Sequence, residues 1–152
     1  MSRFNFRLQK VLELKEQSEQ RAASELARAQ DRADEARAAH EALAAVRAAG
    51  AAQLAAAHGQ TVGQLQNIGY LLQQLDQHVT QASEVANDAQ SGLRDAQASL
   101  TAAHQERRVL DRLRDRKKEE WQHAETQSDL QSMDSLALSR FTKQNPQHSD
   151  DT

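Results

Sequence analysis

Cysteine is absent from this chain, proline occurs once, and aromatic side chains make up only 3% of it. Without cysteine there can be no disulfide and no thiolate metal site, an absence that fits a reducing cytosol. With few aromatics and one late proline, little is available to fill a globular core and little interrupts a helix. No apolar stretch is long enough to span a bilayer, and the opening MSRFNFRLQK lacks the apolar run of a signal peptide. A soluble, cytoplasmic protein is expected. The formal net charge of −3 does not favour nucleic acid or an anionic membrane.

Catalytic signatures are also missing. There is no glycine-rich phosphate loop, no Gly-x-Ser-x-Gly and no His-Glu-x-x-His. The histidines are scattered, and none stands at i,i+4 to another or beside carboxylates at metal-ligand spacing. Neither enzymatic activity nor a cofactor or metal is expected, and His40 reads as a histidine tolerated in a helix seam.

What the chain does have is two long heptad patterns. In the second, Leu72, Val79, Ala86, Leu93, Leu100, Arg107, Arg114 and Trp121 share one position. Leu75, Ala82, Ala89, Ala96, Ala103, Leu110, Lys117 and Ala124 share the other. The first pattern reads Ala22, Leu26, Ala29, Ala33, Ala36, His40, Leu43, Arg47, Gly50, Leu54, Ala57. Apolar steps of four and three make two helices wrap around each other rather than form a globule. The fold class predicted is all-α: a long two-helix antiparallel coiled-coil hairpin with a C-terminal helical overhang.

Helix 1 is expected over about 4–57, with a local irregularity near 12–18. The turn is expected over about 58–63, between Gly59 and Gly63, and helix 2 over about 64–139. The hairpin spans 1–142, and the polar stretch 143–152, with Pro146, reads as a disordered tail. At ~1.5 Å per residue the paired part is expected to be a rod of roughly 80 Å.

An antiparallel pairing centred on Thr61 sets the register. It puts Leu12 opposite Leu110, Leu26 opposite Ala96, Ala29 opposite Leu93, Gly50 opposite Leu72 and Leu54 opposite Ile68. Bulky residues then mostly meet small ones, which fills an interdigitated seam. The middle is thin, because Ala33 faces Ala89, Ala36 faces Ala86 and His40 faces Ala82. The pairing runs out near residue 118, so the segment from Trp121 to Phe141 is expected to overhang.

Three groups of residues could carry contacts. Arg107, Arg108, Arg112, Arg114, Arg116, Lys117 and Lys118 crowd one stretch of helix 2, and the pairing brings Arg3, Arg7, Lys10 and Lys15 alongside. This reads either as a solvated face, with Asp111, Asp115, Glu119 and Glu120 interleaved, or as a docking end for an acidic protein surface. Nucleic acid is disfavoured, because no aromatic interleaves as a base-stacking platform. Phe4, Phe6 and Trp121 lie at the same end. Trp121 reads either as an anchor for another protein or as a side chain packed on Phe4 or Phe6. Near the turn, Tyr70, Leu71, Leu75 and His78 form a stripe that is either core or a second contact surface.

Phe4-x-Phe6-x-Leu8-x-x-Val11-Leu12-x-x-Lys15, followed by the Ala/Gln/Glu-rich hairpin, Leu110-x-x-Leu113-x-x-Arg116-Lys117 and Met133-Asp134, resembles the flagellar export protein FliJ family. The family usually has Asp-Glu where this chain has Asp134-Ser135. The resemblance covers residues 1 to about 142. It implies a cytoplasmic stalk or adaptor of the flagellar type III export apparatus, peripherally associated with the inner membrane and not inserted in it. The implied partners are the export ATPase ring, the membrane export gate protein and export chaperones. Arg7, Lys10, Arg112 and Arg116, with the aromatics Phe4 and Trp121, are the ATPase-docking candidates. Leu71, Leu75, His78 and Ala82 are the gate-contact candidates. The alternatives are the stalk of a virulence-type III secretion system and a coiled-coil export chaperone acting directly on clients.

Overall fold

The structure is a computed structural model that describes residues 3–144. It contains two helices and, among the described residues, no strand: α1, Gln9–Ala56, and α2, Val62–Gln144. The all-α helical hairpin read from the heptads is the fold. Contacts group the chain into two units, one made of the residues up to Glu13 together with those from Arg107 on, the other of Leu14–Glu106.

In the Leu14–Glu106 unit the helices meet along the seam that the register predicts. Ala29, Ala33 and Leu93 are buried together, with Leu26, Ala89 and Ala96 packed against them. They include the bulky-to-small pairs Leu26 with Ala96 and Ala29 with Leu93 of the predicted register and the small pair Ala33 with Ala89, and small side chains let two backbones come close. The same geometry recurs near the turn. A Cβ placed on Gly50 would stand 3.0 Å from Leu72 Cδ2, so Leu72 occupies the space that the glycine leaves open.

Polar pairs bracket the seam. Arg47 Nε donates to Asp76 Oδ1 at 2.6 Å across the helices. That hydrogen bond, and then the Asp76 charge, raise the guanidinium above its ordinary pKa. Lys15 Nζ pairs with Glu106 Oε2 at 2.5 Å, and His104 Nδ1 lies 2.9 Å from Glu19 Oε1. These pairs remove the irregularity expected near residues 12–18. The half-buried positions Lys15, Glu19, Ala22 and Leu26 keep the steps of four and three. The seam there is built on the stems of charged residues, which apolar periodicity alone does not reveal.

The turn is shorter than expected, and Gly63 belongs to α2. Gly59 has φ +79°, the left-handed conformation that glycine adopts without strain. Thr61 then caps α2 reciprocally: Gln64 N donates to Thr61 Oγ1, and Thr61 N donates to Gln64 Oε1 at 3.1 Å. Thr-x-x-Gln is a capping box, and it starts the helix at Val62 despite the glycine that follows.

In the other unit α1 starts at Gln9, not near Phe4. Arg7 and Leu8 form a turn ahead of it, and Leu12 N donates to the Leu8 carbonyl at 2.9 Å. Gln9 N donates to the Phe6 carbonyl at 3.0 Å, which opens the helix. Leu12 in its first turns is fully buried, at 0% exposure. At its other end α2 runs beyond Ser139 to Gln144, so Lys143 is helical; the predicted tail from residue 145 on lies outside the described residues.

Two substitutions test this packing. Leu12→Ala should lower unfolding stability by about 2–3 kcal/mol by opening a cavity. Ala33→Leu should lower it by about 1–3 kcal/mol by forcing the helices apart. Thermal melts followed by helical circular dichroism measure both, and an unchanged midpoint for both would contradict this seam.

Candidate partner-docking site

The segment before α1 lays its aromatic residues against α2. Phe4 and Trp121 pack with ring centroids 5.9 Å apart and planes tilted by 52°. Phe6 is buried, and Trp121 is half-buried. Residues Leu113, Lys117 and Trp121 stand four apart, so they share one face of α2. Together with Phe4, Phe6 and Leu8 they line an open groove of about 590 Å³, with Arg7 and Asn5 at its rim. A neighbouring, more polar depression is lined by Arg3, Gln9, Arg114, Asp115 and Lys118 around the same two phenylalanines.

Of the two readings of Trp121, internal packing on Phe4 describes its place. Trp121 therefore belongs to the paired part, and the overhang begins after it. From Thr126 to Lys143 every residue of α2 is exposed. The groove walls Phe6, Leu8 and Leu113 were not among the site candidates. The signal that points to two of them is the Phe-x-Phe-x-Leu pattern itself.

The basic stretch divides into two sets. Arg107 and Arg114 both reach Asp111, each at 3.4 Å, and Lys117 Nζ pairs with Glu120 Oε2 at 2.7 Å. The cations on seam positions thus meet acids one turn away on their own helix, and no partner acid is needed to explain them. Arg7, Lys10, Arg112 and Arg116 are different: all four are exposed, and none has an ion pair among the described residues. Arg112 and Arg116 stand one turn apart on a face adjoining the groove. Phe4, Arg7 and Trp121 line the groove itself, whereas Lys10, Arg112 and Arg116 do not. The chemistry on offer is an aromatic cleft with unspent positive charge around it, suited to an acidic protein surface carrying an apolar side chain.

The second candidate group lies in the Leu14–Glu106 unit. Leu71 and Leu75 help line a shallow groove with Val46, Gly50, Leu54 and Ile68. Leu71 and His78 are exposed, while Leu75 and Ala82 are half-buried at the seam. The four residues lie on one side of α2, but only the first two touch this groove. Among the described residues, no cluster of histidines and acids could hold a metal ion.

Compared with known families, residues 4–146 match the family model described as Flagellar FliJ protein. No curated protein and no solved structure matches.

Trp121 is the chain's single tryptophan, so intrinsic fluorescence reports on this groove alone. Phe4→Ala should shift its emission to longer wavelength and cost about 1 kcal/mol of stability, within the usual range for an aromatic pair. An emission maximum unmoved by the substitution would mean that the two rings do not pack.

Proposed function

The chain belongs to the flagellar FliJ family, a non-catalytic component of the flagellar export apparatus, and we propose that within that apparatus it is the stalk or adaptor that links the export ATPase ring to the membrane export gate and so promotes export of flagellar proteins. The observation that carries this reading is the groove closed by Phe4 and Trp121, with Arg7, Lys10, Arg112 and Arg116 exposed and unpaired around it. A site of this kind recognises protein. The unspent cations draw in an acidic surface, and the groove accepts an apolar anchor once contact is made. The ATPase ring is the partner proposed for it.

The groove of Leu71 and Leu75 is the proposed contact for the gate, with His78 and Ala82 extending the same side of α2. Export chaperones are further partners in this reading. A linker of this sort requires no nucleotide of its own, because hydrolysis belongs to the ATPase. Among the described residues no helix is long and apolar enough to cross a membrane. The protein is accordingly proposed to sit peripherally at the cytoplasmic face, held there by its partners.

Reversing Arg112 and Arg116 to glutamate removes charge from an exposed face without touching the seam. The double variant should keep its helical content but bind the cognate export ATPase about tenfold or more weakly at low salt. Stimulation of ATP hydrolysis by the added chain should fall with it, and swimming should be impaired in cells that carry only the variant. Full stimulation and normal swimming would remove these residues from the interface.

A further inference from the structure

Charge is spread along the whole chain except around the turn. Asp, Glu, Lys and Arg make up 27% of the residues, yet none of them occurs in 48–75, the longest such interval in the sequence. The two residues that bound this interval are partners. Arg47 Nε donates to Asp76 Oδ1 at 2.6 Å, and Arg47 Nη2 donates to Asp76 Oδ2 at 3.5 Å, so the boundary charges meet across the helices. Beyond that rung the end of α1, the turn and the start of α2 carry no formal charge with histidine neutral. The groove at this end has a volume of about 310 Å³, and every residue that lines it is uncharged. Val46 and Leu71 stand exposed at it, at 59% and 64%, while Ile68 and Leu75 are half-buried. Its polar groups are the side-chain amides of Gln53 and Gln60, each of which can donate and accept.

Given the reading of Leu71 and Leu75 as the gate contact, on which this rests, we propose that the groove takes an uncharged, apolar surface of the export gate protein, so that the turn end is held without ion pairs. Charge matching selects this occupant. A charged partner surface pressed against 48–75 would lose hydration and find no counter-charge, because Arg47 and Asp76 already hold each other. A neutral surface incurs no such penalty. It can bury Val46 and Leu71 and pair its own polar groups with the two amides. A lipid surface fits less well. Helices that lie in a membrane interface carry basic residues beside a broad apolar face, whereas this interval has neither Lys nor Arg and is interspersed with Gln. Recognition at the turn end therefore discriminates against charge of either sign. At the groove of Phe4 and Trp121 the exposed cations would instead favour acid, so the two proposed contacts respond differently to salt.

Binding of the full chain to the purified cognate gate protein, measured from low to high salt, tests the inference. The dissociation constant should change by less than about twofold across the series, because there is no ion pair to screen. Leu71→Lys and Leu71→Glu should each weaken binding by about tenfold, and equally, since a neutral surface has no counter-charge for either. Leu71 is exposed, so helical circular dichroism should be the same in both variants and the parent chain. An affinity that falls steeply with salt would overturn the inference, and so would a large difference between the lysine and glutamate variants, which would reveal a charged partner surface. Either result would leave the gate contact itself standing. No binding to the gate protein at any salt would instead remove that contact and this inference with it. Binding to vesicles of neutral phosphatidylcholine, lost in both Leu71 variants and without any gate binding, would overturn it in favour of lipid.

Discussion

Close approach of two helices across a seam of alanines is the constraint on which the rest of the structure depends. Ala29 and Ala33 against Leu93, Leu26 against Ala96, and Gly50 under Leu72 all obey it. In these pairs no two large side chains meet, so burial is reached with little volume. A seam this narrow buries few side chains fully, and Leu12 is the one large residue brought to complete burial among those described. Specificity of register has a second source beside this pairing. The cross-helix pairs Lys15–Glu106, Glu19–His104 and Arg47–Asp76 supply it, since a slip of one step would break every one of them. Exposed ion pairs add little stability individually, but they discriminate strongly among registers.

The aromatic residues are spent where the alanine seam gives no purchase. Before α1 the chain is not helical, so it cannot present heptad knobs. Phe4 and Phe6 replace them, packing in the region of Trp121 and Leu113. The result is a cleft with apolar walls in a surrounding of cations. The cations divide: Arg107, Arg114 and Lys117 reach acids of their own helix, whereas Arg7, Lys10, Arg112 and Arg116 are exposed, and the proposed function rests on that second set.

The hairpin and its register were legible in the sequence, because the a and d positions pair large with small over many turns, and no other register centres on the glycines. Three features were not. Lys15 and Glu19 occupy seam positions, and their charge hid the continuous heptad, which only the cross-helix acid and base partners explain. Gly63 looked like a turn residue until Thr61 and Gln64 were seen to cap each other, an energetic contribution that outweighs the glycine's poor helix propensity. Phe4 was counted into the helix because Phe4, Leu8 and Val11 step by four and three, but the turn that Gln9 N closes on the Phe6 carbonyl starts the helix later. The candidate site was half legible. Sequence placed Phe4, Arg7 and Trp121 at one end of the hairpin, but whether Trp121 faces inward depends on the path of a segment that heptads cannot describe. Beyond Trp121 the hairpin heptad continues on Ser128, Gln131, Ser135 and Leu138, of which only Leu138 is apolar, so it marks no seam there.

Distance between the helices tests the account most directly. The chain has no cysteine of its own, so Leu26→Cys and Ala96→Cys can carry spin labels without background. Electron-spin distance measurement on dilute, singly folded chains should give one narrow distribution at the short limit of the method, because the two positions face each other within one molecule. A broad distribution, or a short distance that vanishes on dilution with unlabelled chain, would contradict the intramolecular seam.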